Sequence, residues 1–204
     1  MKRFAGKRIA RALMIFGILC LVLAVVWIAE NLRESENAGA AAKSVLEKLQ
    51  AAVTQNAALG PDPKGGAAVV KIDGERYLGI LSLPSLDLEL PVAQDYSEAR
   101  MKTTPCRYAG SPETGMTIAG HNYASHFGAL GALKPGETVY FVFASGKRSS
   151  YTVDHVEILG ADRVEEMTES AWALTLFTCT LSGKERVTVR CFKNFAPQAA
   201  LPGP

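Results

Sequence analysis

A cysteine closes the β-favouring run Thr175-Leu176-Phe177-Thr178-Cys179, and an arginine follows on the next such run, Arg186-Val187-Thr188-Val189-Arg190. Upstream, Gly120-His121-Asn122 supplies an imidazole just after the apolar run Met116-Thr117-Ile118-Ala119. Cys179, His121 and Arg190 together would provide a nucleophile, a proton shuttle and an anion stabiliser, the set that acyl transfer requires. They lie far apart in sequence, so the fold must assemble them.

A free thiol titrates near pKa ~8.5 and needs a cationic neighbour to become a nucleophile at neutral pH. Without such a context, a cysteine ending a strand is an ordinary buried packing residue. Strand alternation puts Val187, Val189 and Cys191 on one face, which reads as core, and Arg186, Thr188 and Arg190 on the other, which can line a groove. Thr188, with Thr178 beside the nucleophile, is therefore expected to contact substrate. Cys106, next to a proline in Thr104-Pro105-Cys106, is expected in a loop, exposed and without chemistry. Of the three histidines, His126 reads as a helix cap or groove wall and His155 as a surface or hydrogen-bonded strand residue, while the Gly120-His121-Asn122 context at a strand end, together with the family resemblance described below, favours His121 as acid and base. Adjacent residues on an extended chain point to opposite sides, so Asn122 is poorly placed to orient His121, which argues against a Cys-His-Asn triad. Glu165, Glu166 and Glu169 make an acidic patch, but calcium asks for about 6–8 oxygen ligands. No Cys/His cluster has zinc-like spacing. No metal is expected.

The elements that must position these groups are mostly short β-like runs separated by Gly, Pro, Asp and Ser. Expected strands are Tyr77–Leu83, Leu86–Pro91, Met116–Gly120, Thr138–Phe143, Ser150–Leu159, Leu174–Cys179 and Glu185–Phe192, with helical turns at Tyr96–Met101, His126–Leu133 and Val164–Ala171. Such spacing indicates a sandwich or barrel. At 204 residues and a formal charge of only +2, the chain holds one ordinary domain plus an appendage, and nothing points to nucleic acid. Basic residues Lys2, Arg3, Lys7, Arg8 and Arg11 precede an uncharged run from Ala12 to Ala29. That run is near the lower limit for a membrane span, where roughly 20 residues cross about 30 Å. The basic cluster predicts a cytoplasmic N-terminus and an external remainder. A cleaved signal peptide, with Ala38-Gly39-Ala40 as its small-residue site, is the competing reading, disfavoured by the length of the apolar run and by Glu30, Arg33, Glu34 and Glu36. Ser35 is expected to cap a helix through Ala42, Val45, Leu46, Leu49 and Val53, read as a stalk rather than an arm packed on the domain. The resulting organisation is a basic segment 1–11, an anchor 12–29, a helical stalk and linker 30–66, a catalytic barrel 67–195 and a disordered tail 196–204.

From about Tyr77 to Phe192 the chain resembles the sortases, membrane-anchored cysteine transpeptidases of Gram-positive bacteria. Thr175, Leu176, Thr178 and Cys179 match their T-L-x-T-C signature, with a histidine before it and an arginine on the strand after it. The resemblance implies an eight-stranded β-barrel with short connecting helices. It favours Arg190 over Arg186, because the family arginine is taken to sit near the end of its strand. It also implies the substrates: secreted proteins bearing an L-P-x-T-G-like C-terminal signal, with an amine of a peptidoglycan precursor or a pilin lysine as acceptor. No organic cofactor is implied. The alternatives are an exported cysteine peptidase hydrolysing wall peptides and a non-catalytic anchored binding module. Tyr77-Leu78-Gly79-Ile80-Leu81 and the short interval from Ala161 to Ala173 suggest a class B-like or class D-like member.

Overall fold

The computed structural model describes residues 2–59, 69–168 and 171–194. The expected tail and most of the expected linker lie outside those residues. The chain divides into two compact units, Met1–Asn37 and Ala38–Pro204.

The first unit belongs to helix α1 (Lys2–Leu59). Its large apolar side chains, from Leu13 to Ile28, are exposed, and the helix is long and apolar enough to cross a membrane. Ser35 does not start a helix. It lies inside α1, because the alanines and long unbranched side chains around it favour continued helix and outweigh one serine.

The second unit carries nine strands: β1 (Val70–Ile72), β2 (Glu75–Leu83), β3 (Leu88–Ala93), β4 (Cys106–Ser111), β5 (Gly115–Ala119), β6 (Thr138–Phe143), β7 (Arg148–Gly160), β8 (Leu174–Cys179) and β9 (Glu185–Lys193). Two short helices, α2 (Glu98–Met101) and α3 (Val164–Met167), sit in the connections. The sheet order is β1-β2-β3-β4-β5-β8-β9-β7-β6, and an added β2–β6 pairing closes β2 through β9 into an eight-stranded barrel with β1 as an outer edge. Closure removes the barrel's own edges. The ladder is antiparallel except at two joints, β3–β4 and β5–β8.

The seven expected strands are all present, and α2 falls where a helical turn was expected, capped by Ser97 Oγ accepting from Arg100 N at 3.1 Å. The sequence did not reveal β1 or β4. Three-residue β1 is too short for a periodic signal. In β4 the burial is irregular and Gly110 breaks the pattern. That glycine has φ +70°, and a Cβ there would collide with the Gly115 carbonyl, so the hairpin requires it. Cys106 is accordingly not an exposed loop residue: it begins β4 and is fully buried.

Inside the barrel a single apolar cluster includes Leu78, Leu81, Ile118, Phe141, Leu176 and Val189. A second cluster lies outside it, where Leu49 and Val53 of α1 bury against Ile72, Tyr77, Ile80 and Cys106. The stalk reading is therefore corrected for this stretch. Leu46, Leu49 and Val53 recur at helical spacing, and that stripe is an arm packed on the barrel. Asn56 Nδ2 fastens it further by donating to the Ala144 carbonyl at 2.8 Å.

His126 is likewise neither a cap nor a groove wall. It is 0% exposed, and neither ring nitrogen has a hydrogen-bond partner among the described residues. Burial, followed by the repulsion of a charged His121, pushes its pKa down to about 4, while the nearby backbone of Ala38 and Thr103 pulls weakly the other way. The ring is thus neutral in the folded protein.

Two outcomes are expected. Leu49→Ala in the detergent-solubilised chain should cost about 2–5 kcal/mol in urea unfolding, whereas Glu47→Ala on the exposed side of the same helix should change stability by less than about 0.5 kcal/mol; equal small effects would restore the stalk. For His126, the unfolded chain binds a proton near pH ~6.5 that the folded chain refuses until about pH 4. Stability should therefore fall on acidification across that window by up to about 1.4 kcal/mol per pH unit. His126→Leu should remove that part of the slope, read as the difference between the two pH–stability curves.

Candidate active site

The parallel β5–β8 ladder pairs Met116 with Leu174, Thr117 with Thr175, Ile118 with Leu176 and Ala119 with Phe177. One residue further, Gly120 N–H donates to the Phe177 carbonyl at 3.1 Å. His121 follows Ala119 by two residues, just past the end of β5, as Cys179 follows Phe177 by two at the end of β8. On the other side, antiparallel β8–β9 pairs Cys179 with Arg186, Phe177 with Thr188 and Thr175 with Arg190. The outer face of these three strands therefore carries successive rows, because side chains alternate with period two. His121, Cys179 and Arg186 form the top row. Ala119, Phe177 and Thr188 form the next, and Thr117, Thr175 and Arg190 the third.

The top row lines one pocket, walled also by Tyr108, Val164, Met167 and Phe177. Cys179 is a free, half-buried cysteine. The loop bearing His121 folds back on itself: Phe127 N–H donates to the His121 carbonyl at 3.0 Å, and Tyr123 stacks on the imidazole with centroids 4.9 Å apart. Gly120 is needed beneath it, because a Cβ would strike the Phe127 ring. Arg186 sits at the start of β9, where Nη1 donates to the Gly183 carbonyl at 2.9 Å and to the Glu185 carbonyl at 3.1 Å. A nucleophile flanked by an imidazole and a guanidinium is a site for attack on a carbonyl whose oxygen gains charge.

The other cysteines of the second unit have no such setting. Burial pushes the Cys106 thiol up to about 11 and the Cys191 thiol up to about 12, so both stay protonated and inert. Cys191 lies in the barrel core, as its place on the Val/Cys face of β9 predicts.

Three expected site residues lie elsewhere. Arg190 does not join Cys179. It is four residues beyond Arg186 on the strand, about 13 Å at ~3.3 Å per residue, and its guanidinium is engaged by Glu157, Thr175 and the backbone of Glu166 and Met167. An antiparallel ladder reverses direction, so the end of β8 meets the beginning of β9, not its end. Arg186, the arginine ranked second in the sequence, holds the position opposite the cysteine. Thr178 shares the inward face of β8 with Leu174 and Leu176, and its buried hydroxyl finds no partner among the described residues. Thr188 is on the outer face but fully buried in the second row, absent from the pocket wall. Of the wall, Phe177 follows from its parity with Cys179; Tyr108, Val164 and Met167 come from separate connections that only the fold brings in. His155 lies on the surface as expected, bonded to Asp154 Oδ2 at 2.6 Å.

A family model described as the sortase domain matches residues 81–193. Sortase A of Bacillus anthracis is 24% identical over 154 residues, covering 72% of this chain and 73% of that protein. Among solved structures, a Clostridium perfringens sortase D5 transpeptidase superposes with a TM-score of 0.60 at 13% identity, covering 76% of this chain and 99% of that one. A C. perfringens sortase C, determined with the C-terminal cell wall sorting motif, gives a TM-score of 0.54 at 21% identity, over 75% and 91% of the two chains. The fold and the family match together place this protein in the sortase family, whose members are cysteine transpeptidases.

Proposed function

We propose that this protein is a membrane-anchored sortase that cleaves an L-P-x-T-G-like signal between Thr and Gly and joins the freed acyl group to an amine. The observation that supports this reading is that His121, Cys179 and Arg186 line one pocket, with Cys179 paired to Arg186 across the β8–β9 ladder. In the first step the Cys179 thiolate attacks the Thr carbonyl, the C–N bond to Gly breaks, and the Gly amine leaves with a proton from the His121 imidazolium. A thioester on Cys179 results. In the second step an incoming amine gives its proton to His121 and attacks the thioester, the C–S bond breaks, and a new amide forms. Arg186 supplies the fixed positive donor for the oxyanion in both tetrahedral intermediates. Among acceptors, an amine of a peptidoglycan precursor or a pilin lysine fits this chemistry.

Anchoring follows from the apolar stretch of α1 and the basic residues before it, which favour a cytoplasmic N-terminus and an external barrel.

The test incubates the detergent-solubilised chain with fluorogenic L-P-x-T-G peptides, with and without an added amine, and follows products by mass spectrometry. Cys179→Ala and His121→Ala should abolish ligated product. Arg186→Ala should lower kcat/KM by about 10²–10³-fold, with Arg186→Lys recovering part of it. Cleavage indifferent to amine would turn the reading to a hydrolase, and a fully active Cys179→Ala variant would overturn it.

A further inference from the structure

Arg190 has no place in the chemistry above, yet it is 3% exposed and fully charged, a costly combination unless its donors are met. Its Nε donates to Glu157 Oε1 at 2.7 Å, and Nη1 donates to Thr175 Oγ1 at 3.2 Å and to the Met167 carbonyl at 3.3 Å. Nη2 donates to the Glu166 carbonyl at 2.6 Å. The two carbonyls are the last ones of α3, where a cation both satisfies the unpaired acceptors and opposes the helix dipole. Thr117, in the same row, adds a hydroxyl that donates to the Met167 carbonyl at 3.4 Å.

Helix α3 needs such help. It has only four residues, too few to persist alone. Yet Val164 and Met167, at its two ends, wall the pocket beside Cys179. Glu157 fixes the arginine from the other side, across the β7–β9 ladder.

We propose that Arg190 is a positioning residue: with Thr117 and Glu157 it clasps α3 onto the outer face of β5, β8 and β9, and so sets the pocket wall that receives the substrate chain. The role of the wall rests on the transpeptidase reading; the clasp itself does not. A loosened clasp leaves the row of His121, Cys179 and Arg186 in register and degrades the surface against which a peptide is held. The loss therefore falls on peptide binding rather than on the reactivity of the thiol.

The test uses the full chain in detergent with Arg190→Met, Arg190→Lys and Thr117→Val. Amide exchange at Met167 and Thr168, KM and kcat for the L-P-x-T-G peptide, and the rate of Cys179 alkylation by iodoacetamide are read in parallel. In Arg190→Met, exchange at both amides and KM should each rise about tenfold, with kcat and alkylation near wild type. Arg190→Lys, which keeps charge but loses the planar fork, should fall between. Thr117→Val should move in the same direction by less, and it decides the matter if Arg190→Met does not fold. Unchanged exchange and KM in a folded variant would overturn the clasp, as would a fall in kcat at constant KM, which would return Arg190 to the chemistry. If the wild type transfers no peptide, the function fails on that count, while amide exchange still tests the clasp.

Discussion

The parallel register of β5 on β8 is the constraint on which the site depends. Neither strand carries a complete set of reactive groups: β5 ends two residues before His121, and β8 ends at Cys179. A slip of one residue would send either His121 or Cys179 to the barrel interior, because the side-chain period of a strand is two. The register is held from both sides. Inward-facing Met116, Ile118, Leu174 and Leu176 belong to the core and cannot be turned outward without loss of burial. On the outer face, Ala119 and Phe177 pack with Met167. The Gly120-to-Phe177 bond then carries the ladder one step past the core, into the pocket.

The same outer face does two jobs at different heights. Its top row presents reactive groups, while its lower rows are covered and support the wall. Two arginines on β9 stand at different heights of this face. Composition cannot separate them, since both sit on the same face with the same parity. Their neighbours do so: one is level with a cysteine at a turn, the other is beneath a helix end that offers carbonyl oxygens. Met101 belongs to the margin of both the arm cluster and the cluster beneath the pocket, so the two apolar regions outside the barrel share a side chain.

Much of this was legible in the sequence. The turn-separated strands pointed to the barrel, and the signature around Cys179 with the histidine after an apolar run pointed to two residues that line one pocket. Without a register, the sequence did not show which arginine of β9 lies opposite Cys179. The turn around Ser182 and Gly183, closed by Thr180 N–H donating to the Glu185 carbonyl at 2.9 Å, marks β8 and β9 as a hairpin. Counting outward from that turn pairs Cys179 with Arg186. Thr188 was expected in the groove because parity tells which face a residue is on, but not whether something lies over it; Thr178, adjacent to Cys179 on the strand, has the opposite parity and faces the interior. The arm was missed for a related reason: a helical apolar stripe is visible in sequence, but its partner surface, formed by β1, β2 and β4 together, is not.

That arm has a practical consequence. The region matched by the sortase family begins at residue 81, well after the arm has ended. A version of the protein trimmed to the barrel would keep every reactive group and would still uncover Ile72, Tyr77 and Ile80 beside a three-residue edge strand. Contiguous apolar surface next to an unprotected strand edge is how soluble proteins come to aggregate. Solubility, more than catalysis, therefore fixes where this molecule tolerates being cut.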